Sequence, residues 1–143
     1  NMLGAMFNTL AEKKVALFGF AFKADTGDTR ESPAIAITRK LVNEHAAVAI
    51  YDPKALDNAR NDLRDLGDKV EYVSDPYAAA AGAHAIALVT DWREFRELDY
   101  RKVFDAMQKP AFIFDGRNQL DHKRLFEMGF NVYPLGKSPM THF

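Results

Sequence analysis

The run Val15-Ala16-Leu17-Phe18-Gly19-Phe20 decides the fold class of this 143-residue chain. The run is continuously apolar, follows a lysine and leads into a polar loop. A strand that is buried on both faces, as in a parallel sheet, shows such a continuous run instead of an alternating pattern. We therefore predict a central parallel strand in a sheet that is covered by helices on both faces.

Short apolar runs alternate with helical segments through the rest of the chain. Ser32 and Pro33 are typical of the N-cap and the first residue of a helix. Glycines at 67 and 129 are expected to close the helices over residues 55–66 and 121–128. Further strands are predicted over 47–51, 70–73, 84–90, 111–115 and 130–134, with further helices from 76 to about 82 and over 98–107. Six strands interleaved with helices predict a doubly wound, mostly parallel α/β sheet.

Composition and charge exclude several classes of protein. Hydrophobic residues make up 48% of the chain and charged residues 27%, which is typical of a soluble domain. The 19 basic and 20 acidic residues nearly cancel, so neither a nucleic acid nor a membrane surface is an expected partner. The chain has no apolar run long enough for a membrane span and no recognisable signal peptide, so we expect a cytoplasmic protein. With no cysteine and no metal-ligand spacing among the four histidines, we predict no metal site.

Cations follow two of the predicted strands. Lys23 and Arg30 lie in the loop after the first strand, and Arg117 follows the fifth. If the strand order is 3-2-1-4-5-6, these loops meet at the carboxyl edge of the sheet, where such folds bind ligands. Three cations near a helix N-terminus predict a site for a phosphorylated ligand. The dinucleotide fingerprint G-x-G-x-x-G is missing, because the next glycine after Gly19 is Gly27. The bulky side chains between them would obstruct a close approach of a pyrophosphate to the backbone.

Other interpretations of the same residues stay open at this point. Lys23 and Arg30 lie among acidic residues, so they are equally consistent with a solvated, self-neutralised loop. Arg117 is also consistent with a turn residue that pairs with a neighbour. Phe20 and Phe22 alternate in an extended stretch, which is more typical of core residues than of ligand contacts. Trp92 favours a core role over an interface contact.

One long motif resembles a known family. The stretch Gly19-Phe-Ala-Phe-Lys23-Ala-Asp-Thr-Gly-Asp-Thr-Arg30-Glu-Ser-Pro33 is similar to the signature that opens the C-terminal domain of the UDP-glucose 6-dehydrogenases, within the UDP-glucose/GDP-mannose dehydrogenase family. Later segments resemble that domain in the same order: Tyr51-Asp52-Pro53, Ser74-Asp75-Pro76-Tyr77, Ala81-Gly82-Ala83-His84-Ala85 and Phe112-Ile-Phe-Asp-Gly-Arg117. The resemblance implies a Rossmann-like UDP-sugar-binding domain over residues 13–143. Residues 1–12 would be the end of a central dimerisation helix.

The resemblance also implies roles for individual residues. Phe22, Lys23 and Arg117 would contact the UDP-sugar, and Arg30 would reach an NAD bound mainly by an N-terminal domain. Family members oxidise UDP-glucose to UDP-glucuronate with two NAD⁺ through a catalytic cysteine, and they form dimers through the central helix. That cysteine, the base and the NAD fingerprint lie upstream in the family, so this chain is expected to carry no catalytic residue and to be inactive alone.

Three alternatives accompany this interpretation. The chain could be a stand-alone nucleotide-binding or regulatory module. It could be a dimerisation element, because an apolar helical stripe over residues 2–10 favours burial. It could also be the same domain of a related GDP-mannose or UDP-N-acetylmannosamine dehydrogenase.

Overall fold

The predicted first strand forms the centre of a parallel sheet. The computed structural model describes residues 11–143, and in this part of the chain six strands follow the order β3-β2-β1-β4-β5-β6, all of them parallel. The strands are β1 Lys14–Phe18, β2 Ala47–Tyr51, β3 Val70–Tyr72, β4 Ala85–Leu88, β5 Phe112–Asp115 and β6 Asn131–Pro134. This confirms the doubly wound fold and the strand order on which the predicted site depends.

Five α-helices connect the strands. They are α1 Pro33–Asn43, α2 Leu56–Asp62, α3 Pro76–Ala80, α4 Tyr100–Ala106 and α5 His122–Met128. Short 3₁₀ segments over Arg64–Lys69 and Arg93–Arg96 complete the connections. Ser32 caps α1 by accepting from the Ala34 amide, with Pro33 as the first helical residue, as the sequence predicts. Right-handed crossovers place α1 and α2 on one face of the sheet and the other three helices on the opposite face.

The end of α2 differs from the prediction. The helix was expected to run to residue 66, with Gly67 closing it, but it ends at Asp62. The Asp62 carbonyl accepts a hydrogen bond from Arg39 of α1 at 3.1 Å. The chain continues as a 3₁₀ segment in which Gly67 has a φ of 59°. The helix thus ends where its last carbonyl group contacts α1, and the position of Gly67 does not predict that end.

The amino-terminal prediction lies almost wholly outside the described residues. Of the helix end expected over residues 1–12, only residues 11 and 12 are described, and they form a turn. The Glu12 amide donates to the His45 carbonyl at 3.1 Å, which ties this turn to the start of β2. Within residues 11–143, no helix combines the length and the apolar character that a membrane crossing needs.

The two edges of the sheet are short or covered. At one edge, β3 has three residues. At the other, the chain turns back after β6, and Met140 forms an antiparallel bridge with Val132 through two hydrogen bonds of 2.8 Å. The strands β1, β4 and β5 are neighbours inside the sheet, so their carboxyl ends lie side by side, away from both edge strands.

Candidate functional site

Gly19 sets the direction in which the chain leaves β1. Its φ is +95°, and a Cβ there would lie 2.5 Å from the Thr90 Cβ. Its amide donates to the Tyr51 carbonyl at 2.8 Å, so the strand end is still paired with β2. Because an L side chain fits neither the backbone angle nor the space, glycine is required where the loop turns across the end of β4.

The first residues of this loop are anchored from below through their backbone. We call residues 19–32 the Lys23 loop. The Phe20 and Ala21 amides donate to Asp52 Oδ2 at 2.7 and 3.0 Å. Their carbonyls accept from Ser32 Oγ at 2.7 Å and from Thr90 Oγ1 at 2.8 Å. All four backbone groups of these two residues are thus satisfied inside the protein.

The tip of the Lys23 loop faces solvent. Phe20 is fully buried, whereas Phe22 is 44% exposed, so the alternative interpretation as core residues holds for Phe20 but not for Phe22. The Phe22 amide donates to the Asp28 carbonyl at 2.7 Å, which closes the loop on itself. Lys23 is exposed, and its ammonium group forms no hydrogen bond or ion pair with any of residues 11–143. The tip thus presents an aromatic ring followed by an unpaired cation.

Arg30 is engaged within the same loop. Its guanidinium lies 2.8 Å from Asp28 Oδ2, although the side chain remains 87% exposed. Hydrogen bonds from Arg30 lower the pKa of Asp28 from 3.8 to about 2, and the positive charge of Lys23 contributes further. Arg30 is therefore paired directly within the loop, whereas Lys23 acts on Asp28 only at a distance.

The Arg117 loop, residues 115–122, is anchored by its own first residue. The Asp115 carboxylate is completely buried. It accepts hydrogen bonds from the Arg117 and Leu120 amides at 3.1 and 2.9 Å and lies 2.8 Å from His122 Nε2. The Arg117 guanidinium points to the end of β4, 3.6 Å from Asp91 Oδ2. The Arg117 side chain therefore contacts a residue beyond β4, and only its backbone amide bonds to the neighbouring Asp115.

An apolar cavity adjoins Arg117. It has a volume of about 260 Å³ and lies between α1 and the carboxyl ends of β4 and β5. Its walls include Pro33, Ile37, Val89 and Phe114, and Arg117 lines it as well. A guanidinium beside an apolar wall can bind a ligand that carries both an anionic group and a flat or aliphatic part.

The structure brings the predicted site residues to one edge of the sheet, but they differ in whether their side chains are free to contact a ligand. Phe22, Lys23 and Arg117 lie in loops after strands that flank β4, and their side chains are available to a ligand. Arg30 lies in the Lys23 loop but is paired with an aspartate. Within the described part of the chain, no group of three or more potential ligands could hold a metal ion.

Sequence reasoning missed the residues that support these loops. Asp52 directly follows β2 and Asp115 ends β5, and both read as ordinary turn residues, yet both are buried and accept several N–H groups. Trp92 was expected in the core; it is 7% exposed, and its indole donates to Asp52 at 3.1 Å. The signal that could have revealed the anchors is an aspartate at the carboxyl end of a buried strand.

Known proteins share the sequence of this domain. Residues 16–122 match the family described as UDP-glucose/GDP-mannose dehydrogenase family, UDP binding domain. The chain is 49% identical to UDP-glucose 6-dehydrogenase of Caenorhabditis elegans over 96% of its own length and 30% of that protein. It is 45% identical to UDP-glucose 6-dehydrogenase 1 of Arabidopsis thaliana, over 95% of this chain and 32% of the relative. The chain therefore spans about a third of the length of the curated relatives it matches.

Solved structures show the same fold. The UDP-glucose dehydrogenase of Pyrobaculum islandicum superimposes with a TM-score of 0.74 at 30% identity, covering 93% of this chain and 27% of that one. The family match covers well over half of the chain and includes both cationic loops. This chain belongs to the UDP-glucose/GDP-mannose dehydrogenase family, in which it corresponds to the UDP-binding domain.

Proposed function

We propose that this chain supplies the UDP-sugar-binding half of an NAD-dependent UDP-glucose 6-dehydrogenase. The observation that carries the proposal is the unpaired cation of Lys23 at the same sheet edge as Arg117, within the segment that matches the family. UDP-glucose is the proposed ligand because the curated relatives at 45% and 49% identity are UDP-glucose 6-dehydrogenases.

The proposed ligand contacts follow from the chemistry of the exposed groups. A diphosphate needs cationic donors, and the Lys23 ammonium and the Arg117 guanidinium are of that kind. The long 3.6 Å contact between Arg117 and Asp91 is weak enough for a phosphate to replace it. Phe22 offers a ring face to the sugar or nucleoside. The backbone amides of Phe20 and Ala21 are already engaged with Asp52, so the proposal places these contacts on side chains.

Arg30 is proposed to face NAD across a cleft with the domain that binds the cofactor. Its guanidinium is on the surface and already binds one anionic group, Asp28. An anionic cofactor would compete with that carboxylate for the same donors. The cofactor itself supplies hydride transfer when bound, and this chain's contribution is limited to binding and orientation.

The chain alone is proposed to be catalytically inactive. It contains no cysteine, so it cannot form the thioester that the family's chemistry implies. Incubation of the purified chain with UDP-glucose and NAD⁺ should produce no NADH absorbance at any enzyme concentration. Sustained NADH formation would contradict this part of the proposal.

Calorimetric titration with UDP tests the binding proposal. We expect weak binding to the 143-residue chain, because the other half of the site lies in another domain. Lys23→Ala and Arg117→Ala should each weaken UDP binding about tenfold, the loss of one charge-assisted contact. Lys69→Ala and Arg64→Ala, which remove exposed cations beside β3, serve as matched controls and should leave the affinity unchanged. Absence of heat at millimolar UDP would refute a preformed half-site.

A competition experiment addresses the sugar nucleotide. UDP-glucose should displace bound UDP at lower concentration than GDP-mannose does. The reverse order would assign the chain to a related dehydrogenase. Dimerisation through residues 1–12 and a cytoplasmic location remain predictions from the sequence. The mass in solution, measured against protein concentration, tests the first of them.

A further inference from the structure

A buried carboxylate occupies the place where related folds bind phosphate. Asp52 follows β2 and is 2% exposed. In dinucleotide-binding sites the amides after the first strand face a pyrophosphate. Here the Phe20 and Ala21 amides donate to Asp52 Oδ2 at 2.7 and 3.0 Å. The carboxylate thus neutralises the amide dipoles that would otherwise attract an anion.

The two oxygens of Asp52 have different partners. Oδ1 accepts from the Lys54 and Ala55 amides at 2.8 and 2.9 Å, which is a local turn before α2. Oδ2 accepts the two amides of the Lys23 loop and also the indole N–H of Trp92 at 3.1 Å. A turn former needs only the local contacts. The remote contacts of Oδ2 therefore call for a second explanation.

Trp92 continues the connection to the other cationic loop. It lies beyond β4, and its carbonyl accepts from Gln119 Nε2 at 3.3 Å. Gln119 is two residues from Arg117 and lies within the Arg117 loop. Hydrogen bonds therefore run from the amides of the Lys23 loop through Asp52 and Trp92 to the Arg117 loop.

We propose that Asp52 and Trp92 are positioning residues that set the separation of the Lys23 and Arg117 loops. Neither side chain touches the ligand, because both are buried beneath the loops. Their role is to hold two cations at a spacing that matches one diphosphate, since misplacement of a binding group by about 1 Å is costly. The inference rests on the proposed UDP-sugar function for its biological purpose, whereas the spacing itself can be measured without a ligand.

The spacing can be measured directly because the chain has no native cysteine. The double variant Lys23→Cys/Arg117→Cys accepts two spin labels. Double electron–electron resonance spectroscopy then gives the distribution of distances between the labels on the two loops. We expect a narrow distribution in this background and a broader or shifted one after Asp52→Asn. Asparagine keeps an oxygen for the local turn but places an amide where the loop amides need an acceptor. Trp92→Phe, the milder change, should broaden the distribution less.

UDP binding gives the second measurement, on chains with the native loops. Asp52→Asn should weaken the affinity for UDP about tenfold and Trp92→Phe about threefold. Asp75→Asn is the matched control. Its carboxylate caps α3 by accepting from the Tyr77 amide at 3.0 Å and bonds to neither loop. This control should lose thermal stability without losing affinity.

The fluorescence of Trp92 separates positioning from general destabilisation. Trp92 is the single tryptophan of the chain. UDP should change its emission in the native chain, and the change should disappear in folded Asp52→Asn. An unaltered label distribution in folded Asp52→Asn and Trp92→Phe would overturn the inference. If the native chain binds no UDP, the proposed function is refuted but the positioning role is not. The label distances would still decide that role.

Discussion

The Lys23 loop and the Arg117 loop present cations at the same edge but are anchored differently. Asp52, which supports the first, belongs to the neighbouring strand β2 and reaches across to amides far away in sequence. Asp115, which supports the second, is the first residue of its own loop. A remote anchor couples several strand ends, whereas a local anchor shapes one turn. The anchor of Lys23 therefore lies on a neighbouring strand, whereas the anchor of Arg117 lies within its own loop.

Within each loop, removal of the anchor should give the largest loss of stability. Five N–H donors lose their acceptor in Asp52→Ala and three in Asp115→Ala. We expect the free energy of unfolding to fall by about 4 kcal/mol in the first variant and about 2 kcal/mol in the second, because a buried donor without a partner is costly. Urea unfolding with equal m values measures both. Equal losses would remove the distinction between a remote and a local anchor.

The glycines through which the two loops leave their strands come next. A Cβ at Gly19 would lie 2.5 Å from the Thr90 Cβ at a φ of +95°, whereas one at Gly116 would lie 2.9 Å from the Leu88 carbonyl oxygen. Gly19→Ala should cost about 3 kcal/mol of stability and Gly116→Ala about 1.5 kcal/mol. Gly82→Ala, with a φ of +73° and open space, isolates the backbone strain. A smaller loss in Gly19→Ala than in Gly82→Ala would show that the Lys23 loop shifts freely.

The ion pair between Arg30 and Asp28 in the Lys23 loop should respond to pH. Arg30 and Asp28 are 2.8 Å apart, and this hydrogen-bonded pair keeps the pKa of Asp28 at about 2. Since the folded pKa lies below the unfolded value, the contribution to stability is complete above about pH 4 and is lost as the pH falls towards 2. Carboxyl NMR titration of Arg30→Ala should return the pKa towards 3.8. An unchanged midpoint would show that the pairing is not the cause.

The smallest effects on stability are expected at the exposed tip. Phe22→Ala and Lys23→Ala should change the free energy of unfolding by less than about 0.5 kcal/mol, as is usual for exposed residues without partners. The same variants should weaken UDP binding. Thermal melting measures the stability of these variants, and calorimetric titration measures their affinity for UDP. A large loss of stability in either variant would mean that the tip contributes to the fold.

The strand pattern made the fold predictable, and the loops show where prediction ends. Buried parallel strands are apolar on both faces, so the run over residues 15–20 and its counterparts predicted a parallel sheet. The strand order, and with it the edge that carries the site, was an assumption that the structure confirms. The carboxyl-terminal end of α2 was not predictable, because the contact between Arg39 and the Asp62 carbonyl joins two segments that are distant in sequence.

The candidate site was predictable in part for a similar reason. The strand pattern placed Lys23 and Arg117 at the carboxyl edge, and the structure puts their loops there. That Phe22 is exposed while Phe20 is buried depends on how the loop closes through Asp28. The role of Asp52 depends on a carboxylate meeting amides more than thirty residues away. Sequence spacing does not encode such meetings, whereas the family resemblance pointed to the exposed residues directly.

The bridge between Val132 and Met140 has a consequence for solubility. An unpaired edge strand is a template on which a second chain can add its own strand and begin aggregation. Here the returning tail pairs with β6 over a single bridge, and Pro134 and Pro139 flank the reversal, where they cannot donate to an added strand. The few residues at the carboxyl end therefore protect the sheet edge. Loss of residues 139–143 would expose that edge to strand addition without touching either cationic loop.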